Sequence, residues 1–95
     1  MMQPSEIAML LAERARTLRL QRNLSQAGLA ARAGVSLASL KRFEHNGQIS
    51  LDSLLRIAGV LEALEPLQGW FEAPAPTSIA EVQQRLQRRR RGRLG

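Results

Sequence analysis

The sequence predicts an all-α fold, a compact bundle of five short helices followed by a basic tail. Three observations carry that expectation. Strand signals are nearly absent, with three aromatic residues in 95 and no alternating β-branched run. Apolar residues instead recur at helical spacing through most of the chain. Ser25, Ser36 and Ser50 each stand just before such a stretch, where a hydroxyl satisfies the unpaired N–H groups of a helix start.

The first helix is expected just behind Pro4, with Ile7, Leu10, Leu11, Leu18 and the stem of Arg14 as its apolar stripe. Asn23 supplies the left-handed residue that ends it. Ser25 opens a second helix from Gln26 to about Ala33. Gly34 then turns the chain with positive φ, and Ser36 opens a third helix from Leu37 to about His45. Asn46-Gly47 is a stop and turn. Ser50 opens the fourth helix, with Asp52 favourably placed in its first turn and Leu51, Leu54, Leu55, Ala58 and Leu61 on its core side. Pro66 starts a short fifth helix that ends with Trp70 and Phe71.

The composition changes after Glu72, dividing the chain into a helical domain (1–72), a Pro-rich linker (73–78) and an arginine-rich tail (79–95). The linker Ala73-Pro-Ala-Pro-Thr-Ser78 reads as stiff and extended. Ser78 and Glu81 have the spacing of a capping box ahead of Ile79, Val82 and Leu86, so an amphipathic helix is expected over 79–91. An isolated helix of that length is marginal in water, so ordering is expected only against a partner or DNA.

A chain of 95 residues holds one core. Without cysteine there is no disulfide framework, zinc finger or thiol nucleophile, and one histidine, His45, cannot build a multi-histidine metal site. No carboxylate pair or nucleophile–histidine pair is apparent, and Ser25 and Ser36 have capping duties. The expectation is a protein that is not an enzyme and takes no cofactor or metal. Fourteen basic against eight acidic residues give +6, unevenly spread. Residues 1–72 carry eight basic and seven acidic groups, a net of +1, whereas the tail sets six arginines against Glu81, a net of +5. No apolar run approaches a membrane span, and the start lacks a secretory pattern, so a soluble cytoplasmic protein without a membrane partner is expected.

Two short helices at 26–33 and 37–45, joined by a tight turn, have the length and order of a helix-turn-helix, a spacing that any small helical bundle with such a pair would share. The residues go further. Leu24-Ser-Gln-Ala-Gly-Leu-Ala-Ala-Arg-Ala-Gly-Val-Ser-Leu-Ala-Ser-Leu-Lys-Arg-Phe-Glu-His-Asn-Gly47 closely resembles the Cro/CI-type (Xre) helix-turn-helix family, with its L-S-Q, L-A, G-V-S and downstream E. The resemblance runs from about Ile7 to about Leu64. It implies a five-helix lambda-repressor-like DNA-binding domain, usually dimeric, whose third helix enters the major groove of a palindromic operator.

Helix geometry separates the faces of that third helix. With Leu40 at the origin and a turn of about 100° per residue, Phe43 falls at about 300°, Glu44 at about 40° and Ser36 at about 320°, one inward face. Ala38 and Arg42 lie opposite, with Lys41 and His45 at the flank. Leu37 and Ser39 stand at the helix start, where family members insert toward bases, and Ser36, the cap just before them, is also expected among the DNA-binding residues. Arg42 offers a bidentate fork to guanine, and Leu37 and Ala38 suit a thymine methyl. The alternatives are phosphate contact or a solvated face for Lys41 and Arg42, partial burial for Leu37, and a bland surface position for His45 rather than a phosphate contact. The resemblance assigns Gln26 to the DNA backbone and pairs Arg19 with Glu44 in a buried salt bridge. Gly28 departs from the family, which usually has a polar helix former there. Leu37 and Ala38 replace polar side chains, so the operator of a relative does not transfer.

Leu61, Leu64, Leu67, Trp70 and Phe71 form a C-terminal apolar cluster that either closes the domain's own core or makes a two-fold dimer interface, in the second case through Leu64, Leu67, Trp70 and Phe71. The expected function is a sequence-specific, nucleoid-associated transcription regulator, most simply a repressor. With no separate ligand-sensing domain in view, the chain also resembles the antitoxin half of a HipBA-type module. Such an antitoxin neutralises a HipA-type kinase toxin and represses its own operon. The alternative is a protein-interaction adaptor that docks through its tail and binds DNA only non-specifically.

Overall fold

The computed structural model describes residues 1–75 and 79–94. Helix α1 spans Pro4–Gln21, α2 Gln26–Ala33, α3 Leu37–Asn46 and α4 Leu51–Val60; a 3₁₀ turn follows at Glu65–Gly69, and α5 spans Ile79–Leu94. There is no strand among the described residues, and no described helix is long and apolar enough to cross a membrane.

The helix boundaries follow from local hydrogen-bond chemistry. Pro4 is itself the first residue of α1, one position further in than expected, where its missing N–H costs nothing. Gln3 caps that helix, its N–H donating to Glu6 Oε1 at 3.2 Å. The Oγ atoms of Ser25, Ser36 and Ser50 accept from the backbone N–H of Gly28, Ser39 and Ser53 at 2.9, 3.0 and 3.2 Å. Asn23, Gly34 and Gly47 take left-handed φ values of 56°, 69° and 76° behind α1, α2 and α3.

Gly47 has a second reason to lack a side chain. A β-carbon there would lie 2.9 Å from the carbonyl carbon of Ala8, because the end of α3 rests on the backbone of α1. Gly47→Ala should therefore lose about 1–3 kcal/mol, from positive φ and from overpacking against a main chain that cannot yield. Urea unfolding followed by circular dichroism measures this, and an unchanged midpoint would contradict the close approach.

The core consists of Ala12, Leu29, Ala30, Ala33, Leu40, Phe43, Ile57 and Leu61, surrounded by partly buried Leu11, Ala15, Leu18, Leu24, Val35, Ile49, Leu54 and Val60. Helix α2 packs against both α3 and α4, and α1 packs against α3. Alanines at 12, 30 and 33 belong to this core, and their small side chains permit close helix approach.

Three expectations about packing need correction. The inward face of α1 is rotated by about one residue from the stripe read in the sequence: Ala12 and Arg19 are buried, Leu11 and Leu18 of that stripe pack against the core from its edge, and Ile7 and Arg14 are exposed. The close approach of α3 selects the alanine-bearing face. On α4 the core row is Leu54, Ile57, Ala58 and Leu61, an i, i+3, i+4, i+7 set. Leu51, at 69 % exposure, and Leu55 lie outside it. The short fifth helix is a 3₁₀ turn ending at Gly69, so Trp70 and Phe71 follow it rather than close it, Phe71 in a left-handed conformation with φ 64°.

Helix α5 covers the expected 79–91 and runs on to Leu94, in keeping with its Ala, Gln, Arg and Leu content. Its apolar residues Ile79, Val82 and Leu86 are exposed. The capping-box residue Ser78 and the linker residues 76–77 lie outside the described residues, as does the side chain of Glu81.

Candidate nucleic-acid interface

The orientation of α3 is set from its inner face. Leu40 and Phe43 are fully buried, and Glu44 beside them is held by an ion pair whose side chains are only 8 % (Arg19) and 5 % (Glu44) exposed. Arg19 Nε donates to Glu44 Oε2 at 2.9 Å and Nη2 to Oε1 at 3.0 Å, a bidentate fork. Arg19 Nη1 donates to the Leu24 carbonyl at 2.9 Å, and Gln26 Nε2 to Glu44 Oε1 at 3.2 Å. One carboxylate thus joins α1, α2 and α3, and every buried side-chain polar atom among the described residues has a partner. The salt bridge expected for Arg19 and Glu44 is present. Gln26, expected to touch DNA, also braces that carboxylate.

With Leu40, Phe43 and Glu44 turned inward, Ala38, Lys41, Arg42 and His45 project from the other side of α3, all exposed. Lys41 and Arg42 have no ion-pair partner among the described residues. Leu37 is exposed at the start of the helix, and Ser39 is half-buried. The Ser36 hydroxyl donates to Ser39 Oγ at 2.8 Å while capping α3, so Ser36 has a structural role of its own.

Two shallow polar recesses flank this surface. One gathers Gln26, Lys41 and His45 with Arg16, over the Arg19–Glu44 pair. The other gathers Ser39 and Arg42 with Gln48, Ile49, Ser50 and Ser53. Arg16, Gln48 and Ser53 escaped the sequence reading. The signal for Arg16 was its position one helical turn before Arg19; for Gln48 and Ser53 it was their adjacency to the Ser50 cap. Gln48 is positioned by its N–H, which donates to Asn46 Oδ1 at 3.0 Å.

The departure at Gly28 has no structural explanation, because Ser39 and Ser53 carry side chains at the same position behind the Ser36 and Ser50 caps. A β-carbon at 28 would stand 3.1 Å from the Ser25 Oγ that caps α2, a contact that a small shift of the hydroxyl relieves. The C-terminal cluster divides. Leu61 belongs to the core and Leu67 is half-buried, whereas Leu64, Trp70 and Phe71 are exposed. The rings of Trp70 and Phe71 meet edge to face at 6.5 Å. These residues follow α4 and line neither recess.

A helix-turn-helix family model matches residues 16–66, from the middle of α1 into the 3₁₀ turn, more than half of the 95-residue chain. No curated protein matches. The matched span contains the α2–turn–α3 pair, the Arg19–Glu44 brace and both recesses, and the chain belongs to the Cro/CI-type helix-turn-helix family of DNA-binding transcription regulators.

Proposed function

We propose that the protein is a dimeric, sequence-specific repressor that reads a palindromic operator with the outer face of α3. The observation that carries this reading is the division of α3 into a locked inner face and an unpaired outer one bearing Ala38, Lys41, Arg42 and His45. Arg42 presents its fork to a guanine edge, and Leu37 and Ala38 meet thymine methyls. Gln26, Lys41 and His45, with Arg16, serve the phosphates of one strand; Ser36 and Ser39, with Gln48, serve those across the groove.

Dimerisation rests on the exposed aromatic pair. Trp70 and Phe71 are 51 % and 102 % exposed, and with Leu64 and Leu67 they form an apolar patch suited to a two-fold contact. Two copies so joined would set their α3 helices about 34 Å apart, on successive major-groove faces. Repression then follows from occupancy of a promoter. A footprint on DNA upstream of the protein's own coding sequence tests the reading. Two symmetric protected half-sites are expected, and protection without sequence preference would favour the adaptor alternative. The double change Trp70→Ala, Phe71→Ala should shift sedimentation from dimer to monomer at micromolar concentration. A monomeric parent protein would remove this part of the proposal.

A narrower version, an antitoxin that restrains a HipA-type kinase, has one observation in its favour. The exposed Ile79, Val82 and Leu86 of α5 fit an apolar groove on a protein partner. Co-expression with the kinase encoded beside it, if one is, would relieve growth arrest only if this version holds.

A further inference from the structure

We infer that α5 is a second DNA-contacting element, whose arginines hold backbone phosphates next to the site read by α3. The inference rests on the DNA-reading role of α3 and adds the source of its electrostatic affinity. Phosphate neutralisation supplies much of the affinity of a protein for DNA, and the helical domain is poorly equipped for it. Residues 1–72 have a net charge of only +1. Three of their eight cations are already paired: Arg19 with Glu44, Arg22 with Glu62 at 3.2 Å, and Arg56 with Asp52 at 3.0 Å. Of the five cations left, Arg42 is taken by the base contact, which leaves Arg16 and Lys41 beside α3 for phosphates.

Helix α5 has the charge that the domain lacks. Its 16 residues contain six arginines and one acid, and Arg85 and Arg88 have no ion-pair partner among the described residues. The run Arg88–Arg91 falls in the C-terminal half of the helix, where positive charge also complements the helix dipole. At about 1.5 Å per residue the helix is about 24 Å long, enough to follow several phosphates. The six linker residues 73–78 can span about 20 Å, more than the roughly 12 Å width of a major groove. DNA is the occupant favoured by these observations, since it is the one polyanion that the same chain already engages through α3.

The test uses the full chain carrying Arg88→Gln, Arg89→Gln, Arg90→Gln and Arg91→Gln, compared with the parent on the footprinted operator and on a scrambled duplex across a salt series. The slope of log K against log salt should fall in magnitude by about 2–3 per subunit, at about 0.9 per lost phosphate contact. The operator-to-scrambled ratio should stay the same, because phosphate contacts do not read sequence. The corresponding four Arg→Lys changes should restore the slope. Parallel salt lines with equal affinity would overturn the inference and assign the arginines to a protein or a lipid surface. Failure of lysine to restore the slope would also overturn it, since charge would then not be the cause. A parent protein that binds both duplexes alike would defeat the α3 reading instead, leaving the slope comparison to decide α5 separately.

Discussion

Glu44→Ala should destabilise the domain by about 3–5 kcal/mol, the usual cost of removing one partner from a buried ion pair. Arg19, whose side chain is 8 % exposed, would be left with only the Leu24 carbonyl as acceptor, and Gln26 would lose its partner as well. Small domains are stable by only about 5–15 kcal/mol in total, so this one change should remove a large share of the folding free energy. Urea unfolding at constant salt measures the loss, and a value below about 1 kcal/mol would mean the pair is worth no more than a solvated surface bridge. The double change Arg19→Met, Glu44→Leu should recover most of the stability, because an apolar pair of similar size avoids the desolvation of two charges. The retained pair is thus better explained by orientation, since its fork ties α3 to α1 in one register.

Arg42→Ala should weaken binding to the operator by about 1–3 kcal/mol per subunit, and by about 2–6 kcal/mol for a symmetric dimer that makes the contact twice. Binding to scrambled DNA should fall much less, and preference at one base position in each half-site should relax. Arg42→Lys separates the two roles of the side chain. Lysine keeps the positive charge and any phosphate contact but loses the bidentate fork. If Arg42 reads guanine, lysine should resemble alanine in selectivity. Equal losses on operator and scrambled duplex for the alanine variant would reduce Arg42 to a phosphate contact.

The parts of the fold legible in the sequence were those governed by contacts within a few residues. Ser25, Ser36 and Ser50 each cap a helix through an N–H three positions on, and Asn23, Gly34 and Gly47 stop helices by adopting positive φ. The inner and outer faces of α3 were also legible, because large apolar residues at Leu40 and Phe43 mark the inward side. The alanine-bearing face of α1 was not. On α1 the sequence stripe took in the exposed Ile7 and passed over Ala12, although Leu11 and Leu18 of that stripe do pack against the core and the close packing of α3 makes Ala12 its centre. Leu51 misled for a related reason, being apolar and in phase but in a first turn that lies beyond the core. The Arg19–Glu44 pair, separated by 25 residues, was expected only through family resemblance. Arg16 and Ser53 come beside α3 through the packing of other helices, so their local signals, a turn before Arg19 and next to the Ser50 cap, do not by themselves mark an interface; Gln48 is placed by the turn that follows α3.

Selection of bound duplexes from a random library by the full-length protein tests most directly whether the outer face of α3 reads bases. If α3 reads bases, a two-fold symmetric sequence should be enriched, with half-site centres about one helical turn apart and a guanine in each half-site whose enrichment disappears with Arg42→Ala. Enrichment of no sequence, or of one whose information is unchanged by Arg42→Ala, would contradict that reading.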